Sequence, residues 1–136
     1  MYDLMTLLGR LAMSAIFAHA AWGKVTAFGR TADMMGGAGM PLAPLFLAGA
    51  IALLAAGSLS LALGYRVRWG AAALIAFLVP ATLIFHRYWA VPEDQVRMQQ
   101  IQFMKNLALV GGLLVMLVHD PGRWSLQYGR RGRPRR

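Results

Sequence analysis

One long apolar stretch, RWGAAALIAFLVPATLIFHRYW (residues 68–89), decides the fold. No charged residue lies between Arg68 and Arg87, so the stretch is long enough to form a helix across a hydrocarbon core of about 30 Å. It ends in FHRYW, a histidine and an arginine beside aromatic side chains. Such an ending is typical of a membrane–water interface, but it also suits a binding site. The stretch therefore predicts a membrane-spanning helix and leaves the role of His86 open.

The composition of the whole chain points to the same environment. Of its 136 residues, 58% are hydrophobic and 14% are charged, and the mean hydropathy is +0.51. A soluble domain of this size needs a larger polar surface, because a small protein cannot bury all its apolar atoms. The chain has no cysteine, which excludes disulfides, thiol exchange and a cysteine-held iron–sulfur centre of its own.

Four apolar segments predict an all-α, integral membrane four-helix bundle. A short interfacial helix is expected between the first two segments, with Thr31 as its N-cap and the following glycines at its end. We expect a transmembrane domain over residues 1–122 and a flexible, basic cytoplasmic tail over residues 123–136. The four helices are expected at about residues 4–22, 42–64, 68–87 and 100–119.

The distribution of basic residues predicts the orientation. An even number of spans puts both termini on one side of the membrane, together with the link between the second and third helices. That side would hold Arg66, Arg68, Arg123, Arg130, Arg131, Arg133, Arg135 and Arg136. The other side would hold Lys24, Arg30, Arg87, Arg97 and Lys105. The excess predicts cytoplasmic N- and C-termini, with the tail attracted to anionic lipid headgroups rather than to nucleic acid.

Polar residues inside the apolar segments are costly and therefore informative. On the first helix, a spacing of three and four residues puts five side chains on one face, namely Arg10, Ser14, Phe17, Ala21 and Lys24. His19 falls on the opposite face and is interpreted as a packing residue. Arg10 lies too far along the helix for easy snorkelling, and an intramembrane arginine is a functional hypothesis by default.

The third and fourth helices carry polar faces of their own. Thr82, His86 and Trp89 share a face of the third helix, after Pro80, which should kink it. Gln99, Gln102 and Asn106 share a face of the fourth, with Lys105 turned away from them.

These residues also have a simpler interpretation as membrane anchors. Lys24, Arg87 and Lys105 can snorkel to headgroups, while Tyr88 and Trp89 suit an aromatic belt. His86 can hydrogen-bond a helix-end carbonyl. No metal site is predicted, because the histidines lie on separate helices and the carboxylates lie outside the apolar segments.

Several motifs resemble the DoxX family of small bacterial inner-membrane proteins. They are RLAMSAIFAHAAWGKVTAF, GAGMP, GYRVRWGA, FHRYW and FMKNLALVGGLLV, which together span nearly the whole chain. The most specific are His-x-x-Trp and Phe-x-Lys-Asn-Leu-Ala-Leu-x-Gly-Gly. The resemblance implies a four-helix bundle associated with membrane redox chemistry, since relatives are linked to a quinol oxidase, to thiosulfate:quinone oxidoreductase and to oxidative-stress complexes.

The family pattern carries onto particular positions, with one departure. Many relatives have an acidic residue in the second helix, where this chain reads LAGAIALLAAG. If that acid relays protons or pairs with Arg10 in the relatives, this protein either lacks the step or pairs Arg10 with another group. The candidate ligand-binding residues are Arg10, Lys24, Thr82, His86, Trp89, Lys105 and Asn106. The candidate structural glycines are Gly23, Gly57, Gly64, Gly111 and Gly112.

The preferred hypothesis is a non-cofactor subunit of an oxidoreductase system that binds a quinone or a similar small redox molecule. His86 and Lys105 would donate hydrogen bonds to a quinone carbonyl, Trp89 would stack on the ring and Arg10 would stabilise a negative intermediate. No tightly bound cofactor is expected, and catalysis would need a partner redox enzyme. The alternatives are a membrane scaffold that holds a partner protein and, less favoured, a small-solute carrier formed by a homo-oligomer.

Overall fold

The computed structural model of the protein describes residues 1–130. Within this range the chain forms helices and no strand, which confirms the predicted all-α fold. Four of the helices are long and apolar enough to cross a membrane. The α-helices are α1 (Tyr2–Thr26), α2 (Phe28–Gly37), α3 (Ala43–Leu63), α4 (Val67–Phe85), α5 (Glu93–Val118) and α6 (Leu126–Arg130), with a 3₁₀ turn at Tyr88–Ala90.

The outside of the bundle is apolar. Large hydrophobic side chains on every long helix are exposed, as expected where the surrounding medium is hydrocarbon rather than water. Membrane lipid is therefore the medium that these side chains contact. Examples are Leu8, Leu11, Ile16, Leu53, Leu59, Leu83, Leu107 and Leu114.

The helices pack in the spatial order α1, α3, α4, α5 around a small core. Phe17, Leu54, Leu61, Leu74 and Leu113 form the centre of this core and are almost completely buried.

Glycines set the close approach of α3 to α4. A Cβ atom at Gly57 would overlap the side chain of Leu74, and one at Gly70 would overlap Ser60. Small residues at a helix interface let two backbones come together, which is the main packing device available inside a membrane. Gly57 was a predicted structural glycine, whereas Gly70 was not singled out.

The short helix α2 lies against α3. Its buried residues Ala32 and Met35 pack on Ala43 and Leu47. The prediction that Thr31 is its N-cap was wrong: the helix begins at Phe28, and the Thr31 hydroxyl donates instead to the carbonyl of Ala27 at 2.9 Å. Thr31 is thus one turn inside the helix.

The fourth long helix begins earlier than expected. α5 begins at Glu93, whereas the apolar segment predicted a start near residue 100. Its first turn follows Pro92 and carries Glu93 and Asp94, and a proline and acidic residues at this end are both favourable for a helix N-terminus. The polar first turns of α5 extend the bundle at the end where α1 finishes.

The chain after α5 folds back over the opposite end of the bundle. Pro121 and Gly122 are buried, and the Arg123 backbone N–H donates to an Asp3 carboxylate oxygen at 2.9 Å. The Gln127 N–H donates to the carbonyl of Gly64 at 3.1 Å. The first residues of the expected flexible tail therefore contact the helices. Residues 131–136, with most of the tail's arginines, lie outside the described residues.

Candidate functional site

A cavity of about 620 Å³ lies at the end of the bundle where α1 finishes. Its wall comes from the second half of α1, from α2, from the last turns of α4 and from the first half of α5, with Leu54 of α3 at its base. Apolar side chains make up much of this wall, among them Phe17, Leu54, Phe77, Leu78, Phe85 and Leu109. The polar side chains that reach it are His19, Lys24, Thr31, His86, Gln99, Gln102, Lys105 and Asn106.

α1 contributes a cation and an open glycine to the cavity. Lys24 is half-buried, and its ammonium group lies 5.9 Å from the centre of the Phe77 ring. Gly23 lines the cavity as well, and a Cβ atom there would meet nothing within 4 Å. Gly23 was expected to be structural, but no neighbouring helix presses on it. Its missing side chain leaves room in the cavity.

His86 is held by a partner on α5. Its Nδ1 lies 2.8 Å from Oε1 of Gln99. In the tautomer that carries its proton on Nδ1, the imidazole donates to this amide oxygen, which can only accept, and Nε2 is left as an acceptor. Because His86 caps the C-terminal end of α4, this bond also joins α4 to α5. The sequence hypothesis gave His86 a donor role toward a ligand, whereas in this tautomer Nε2 would accept.

A buried hydrogen-bond chain below His86 fixes the same two helices. The Asn106 side-chain amide donates to the Thr82 hydroxyl at 2.9 Å, and that hydroxyl donates to the carbonyl of Leu78 at 2.7 Å. Both Thr82 and Asn106 are buried. Asn106 reaches the cavity wall, whereas Thr82 acts behind it by holding the amide in place. Thr82 is thus a positioning residue.

Lys105 lines the same cavity as Gln102 and Asn106. The helical spacing was interpreted as turning Lys105 away from these residues, and that interpretation was wrong. Residues three apart on a helix are neighbours, so Gln102 and Lys105 reach adjacent parts of one wall. Lys105 remains exposed at the rim, where its long side chain can extend toward a ligand or toward the surface.

Arg10 does not reach this cavity. It precedes Lys24 by fourteen positions on one continuous helix, which corresponds to about 21 Å along the helix axis. The predicted face of α1 is the face that the bundle buries, since the buried residues of that helix are Arg10, Ser14, Phe17 and Ala21. The arginine nevertheless belongs to the opposite end of the bundle.

The partners of Arg10 are backbone carbonyls. Its Nη1 donates to the carbonyl of Leu61 at 3.3 Å and its Nη2 donates to the carbonyl of Trp124. Leu61 lies in the last turn of α3, where unpaired carbonyls and the negative end of the helix dipole stabilise a cation. The helix end and the returning C-terminal chain thus supply the acceptors of this buried cation.

Gly64 makes room for this arrangement. It ends α3 in a left-handed conformation with φ of +64°, and a Cβ atom there would overlap the Arg10 guanidinium and the Ser125 side chain. The Tyr65 N–H returns to the carbonyl of Ser60 at 3.1 Å, as in a Schellman motif. Gly64 is therefore structural, as predicted, for reasons of both conformation and space.

Trp89 also lies outside the cavity wall. Its ring packs edge-on against Tyr88 and Phe103, with ring centres 5.1 Å and 5.8 Å away, and it is 59% exposed. The structure thus places Trp89 in an aromatic cluster that joins the turn after α4 to α5. A stacking role on a ligand ring receives no support from this position.

The two glycines of α5 differ in their surroundings. A Cβ atom at Gly112 would lie 3.2 Å from the terminal methyl group of Met13, so this glycine makes room for the end of the Met13 side chain. A Cβ atom at Gly111 would meet nothing within 4 Å. Of the two, only Gly112 has the packing role expected from the sequence.

Sequence reasoning missed four polar residues of the cavity, one of which, Thr31, had been considered only as a helix cap. His19 was assigned to packing because it falls opposite Arg10, yet it lines the rim, since the cavity extends past α1 toward its outer face. Gln99 and Gln102 were noticed as one face of α5 but were not included among the candidate ligands. The available signal was the spacing of Gln99, Gln102 and Lys105, which follow one another at intervals of three residues along the helix. Among residues 1–130, no group of three histidine or acidic side chains could hold a metal ion.

Comparison with known proteins places this bundle among inner-membrane proteins. Inner membrane protein YqjF of Escherichia coli (strain K12) is 30% identical over 126 residues, which cover 91% of this chain and 90% of that protein. Inner membrane protein YphA of the same strain is 28% identical over 120 residues, 88% of this chain and 86% of that protein. Surfeit locus protein 4 homolog of Schizosaccharomyces pombe is 30% identical over 66 residues, 47% of this chain and 22% of that protein. No solved structure matches the chain significantly.

Two family models match the sequence and overlap in its centre. The DoxX model matches residues 5–87, from α1 to the end of α4, and the SURF4 family model matches residues 49–131, from α3 onward. Each covers more than half of the chain, and the bacterial relatives are inner-membrane proteins of similar length. The chain is therefore a multi-pass inner-membrane protein that belongs to the DoxX family and also matches the SURF4 family over its second half.

Proposed function

We propose that the protein binds a quinone or a similar small redox molecule in the cavity between α1, α2, α4 and α5, as a non-cofactor subunit of an oxidoreductase system. One observation carries the proposal: amine and imidazole groups from three helices meet in an otherwise largely apolar cavity of about 620 Å³. Binding sites for small molecules are commonly of about 300–1,000 Å³, with apolar walls and a few convergent polar groups.

The polar groups suit the oxygens of such a ring. Lys24 and Lys105 would donate hydrogen bonds to carbonyl oxygens, and Nε2 of His86 would accept one from a hydroxyl of the reduced form. The aromatic side chains Phe77 and Phe85 would pack against the ring from the cavity wall. Arg10 and Trp89 take no part, because neither lines the cavity.

A cavity-filling substitution tests the location of the ligand. Gly23→Phe places a ring where a side chain meets open space, so it should fill the cavity and weaken binding of a short-chain quinone at least tenfold. The matched control is Gly111→Phe, at a helical glycine that is equally open but faces away from the cavity, and it should bind as the unsubstituted protein does. Binding is measured by equilibrium dialysis of the protein in lipid nanodiscs.

Two results would contradict the proposal. The first is that the unsubstituted protein binds no quinone, and the second is that Gly23→Phe binds as tightly as Gly111→Phe.

A His86→Ala variant tests the redox role, because a quinone-dependent reaction supported by the native membrane should slow when His86 is removed. If instead one partner protein co-purifies in equal amount with the unsubstituted protein and with His86→Ala, and the redox rate is unchanged, the scaffold alternative is supported.

A further inference from the structure

We infer that the cavity is selective for an anion with an apolar body, such as a deprotonated quinol or the carboxylate of a lipid-derived acid. The inference rests on the proposed function only in taking this cavity as the ligand site. It adds the charge of the ligand, which the quinone hypothesis leaves open. The observation behind it is an imbalance of charge in the cavity wall.

The titratable side chains that line the cavity are Lys24, Lys105, His19 and His86. None of the carboxylates of the described chain lines it. A wall with two ammonium groups and no carboxylate has a positive potential, and apolar surroundings strengthen that potential because they screen it poorly.

The carboxylates of the chain are elsewhere or are engaged. Asp3 accepts from the Arg123 N–H and Asp120 from the Gly122 N–H, both at the opposite end of the bundle. Asp33 is exposed on α2 and does not line the cavity. Glu93 and Asp94 begin α5 and lie about 17 Å or more from Lys105 along the helix.

Within residues 1–130, no backbone carbonyl accepts a hydrogen bond from the Lys24 ammonium group in place of a carboxylate. Two carbonyls near the end of α1 already accept hydrogen bonds from other donors. The Gly23 carbonyl accepts from the Ala27 N–H at 3.1 Å and from the Thr26 hydroxyl at 3.2 Å, and the Trp22 carbonyl also accepts from that hydroxyl. The contact recorded for the Lys24 ammonium is the weak one with the Phe77 ring. Arg10, by contrast, donates to two carbonyls.

Lys105 lies about 18 Å from the start of α5, at the exposed rim of the cavity and just inside the apolar part of that helix. An ammonium group beside an apolar wall is costly unless it reaches water, headgroups or a counter-charge. A ligand with one negative oxygen between Lys24 and Lys105 would supply that counter-charge to both, and a neutral ligand would not. The apolar wall would meanwhile take up a ring or an acyl chain.

Two pairs of probes separate charge from shape. The first pair is a hydroxynaphthoquinone that is ionised at neutral pH and its neutral methyl ether. The second pair is dodecanoate and dodecanol. Each probe is titrated by calorimetry into the full-length protein in nanodiscs of zwitterionic phosphatidylcholine, with empty nanodiscs subtracted. We expect the anion of at least one pair to bind at least about tenfold more tightly than its neutral partner, the minimum for one charge-assisted hydrogen bond.

The lysines are tested as a pair. Lys24→Gln/Lys105→Gln should abolish the preference for the anion, and Lys24→Arg/Lys105→Arg should keep it. The matched control is Arg30→Gln/Arg97→Gln, which removes the same charge from exposed positions at the same end of the bundle without touching the cavity wall. This control should keep the preference. Circular dichroism and gel filtration of each variant verify that the bundle is intact.

The outcomes distinguish this inference from the proposed function. Equal binding within both pairs overturns the inference, and binding of the naphthoquinone and its ether with equal affinity then leaves the quinone proposal intact. Selective binding of dodecanoate, abolished by the lysine pair, with no binding of either naphthoquinone, supports the inference and contradicts the quinone proposal. Failure of every probe to bind, or a preference that survives in Lys24→Gln/Lys105→Gln, overturns the inference.

Discussion

Arg10 is almost fully buried, yet its neighbours explain how a charged guanidinium is tolerated there. It joins the last turn of α3, through Leu61, to the returning C-terminal chain, through Trp124. The Nε atom has no hydrogen-bond partner among residues 1–130, so the two Nη bonds carry the contact. Arg10 therefore connects three parts of the chain that are far apart in sequence.

Replacement of Arg10 by methionine should release the C-terminal chain. The side chain keeps its bulk and loses both donors, so the docking of residues 120–128 should weaken by about 1–3 kcal/mol, the usual worth of a hydrogen bond from a charged group. Trypsin cleavage after Arg123 should then be about ten to a hundred times faster, because cleavage requires local opening. Mass spectrometry of the digest in detergent measures this rate.

The control for this experiment is Arg97→Met, at an exposed arginine of α5 that is remote from the docked chain. It should leave cleavage after Arg123 unchanged. Equal cleavage rates in the two variants would show that Arg10 does not hold the C-terminal chain.

Gly64 is predicted to be intolerant of any side chain. Gly64→Ala places a Cβ atom in the left-handed region, which costs about 1–2 kcal/mol, and that atom also overlaps the Arg10 guanidinium. The free energy of unfolding, measured by titration with a denaturing detergent, should fall by at least this amount. Gly111→Ala, at an open helical glycine, should leave the stability unchanged or slightly raise it. A loss in Gly111→Ala as large as in Gly64→Ala would contradict this account.

The sequence predicted which side of α1 is buried but not which site each residue serves. Helical spacing reports the angle around the helix, so it grouped Arg10 correctly with Ser14, Phe17 and Ala21. It says nothing about which parts of other helices lie at the same height. Whether Arg10 and His86 share a site could not be read from the sequence for this reason, because the height depends on how α1 is shifted along α3 and α4.

At the scale of the helices, the α3–α4 interface depends on a glycine that faces a leucine. The side chain of Leu74 occupies the space where a Cβ atom of Gly57 would lie. Gly57→Ala should therefore destabilise the bundle by about 1–3 kcal/mol, the usual cost of overpacking. Leu74→Ala should cost about 2–5 kcal/mol, since Leu74 is fully buried.

A double-mutant cycle shows whether the two residues act together. Once Leu74 is shortened, the added methyl group at position 57 no longer meets it, so the double variant should be less destabilised than the sum of the two single variants by about 0.5–3 kcal/mol. Unfolding by a denaturing detergent gives all four stabilities. Simple additivity would show that the overlap is relieved elsewhere.

The helices themselves were predictable because long apolar runs have few alternatives inside a membrane. The boundaries were less so. The start of α5 was predicted too late because its first two turns are polar, and a search for apolar segments ignores polar turns. Pro92 and the two acidic residues after it indicate a helix start at Glu93. Those turns carry Gln99, the partner of His86, and so the interaction that orients the imidazole was also missed.

At the scale of the whole molecule, the cavity exists because the bundle is less tightly closed between α1 and α5. The close approaches are α1 with α3, α3 with α4 and α4 with α5. In one half of the bundle the end of the Met13 side chain fills the space between α1 and Gly112 of α5, whereas the other half is lined by Lys24 and Lys105. No pattern in a single sequence reports such a gap, since it depends on helices that are not neighbours along the chain.

The orientation of the molecule decides from which side a ligand enters. The count of basic residues predicts cytoplasmic termini, with the cavity end of the bundle facing the periplasm. Because the chain has no cysteine, single cysteines can be introduced without background labelling. Arg30 and Arg68 are suitable positions, since both are exposed and they lie at opposite ends of the bundle. Each variant replaces one arginine by cysteine, so both lose the same single positive charge.

A membrane-impermeant maleimide should label Arg30→Cys in cells whose outer membrane has been permeabilised, and it should label Arg68→Cys only after the inner membrane is also opened. Removal of one arginine lowers the basic count of either side equally and leaves the excess near the termini in place, so neither substitution should invert the protein. The reverse labelling pattern would place the cavity end in the cytoplasm, where a soluble redox partner could reach Lys24 and Lys105 directly. Labelling of both cysteines in intact inner membranes would indicate a mixed orientation and would remove the basis for a periplasmic entrance.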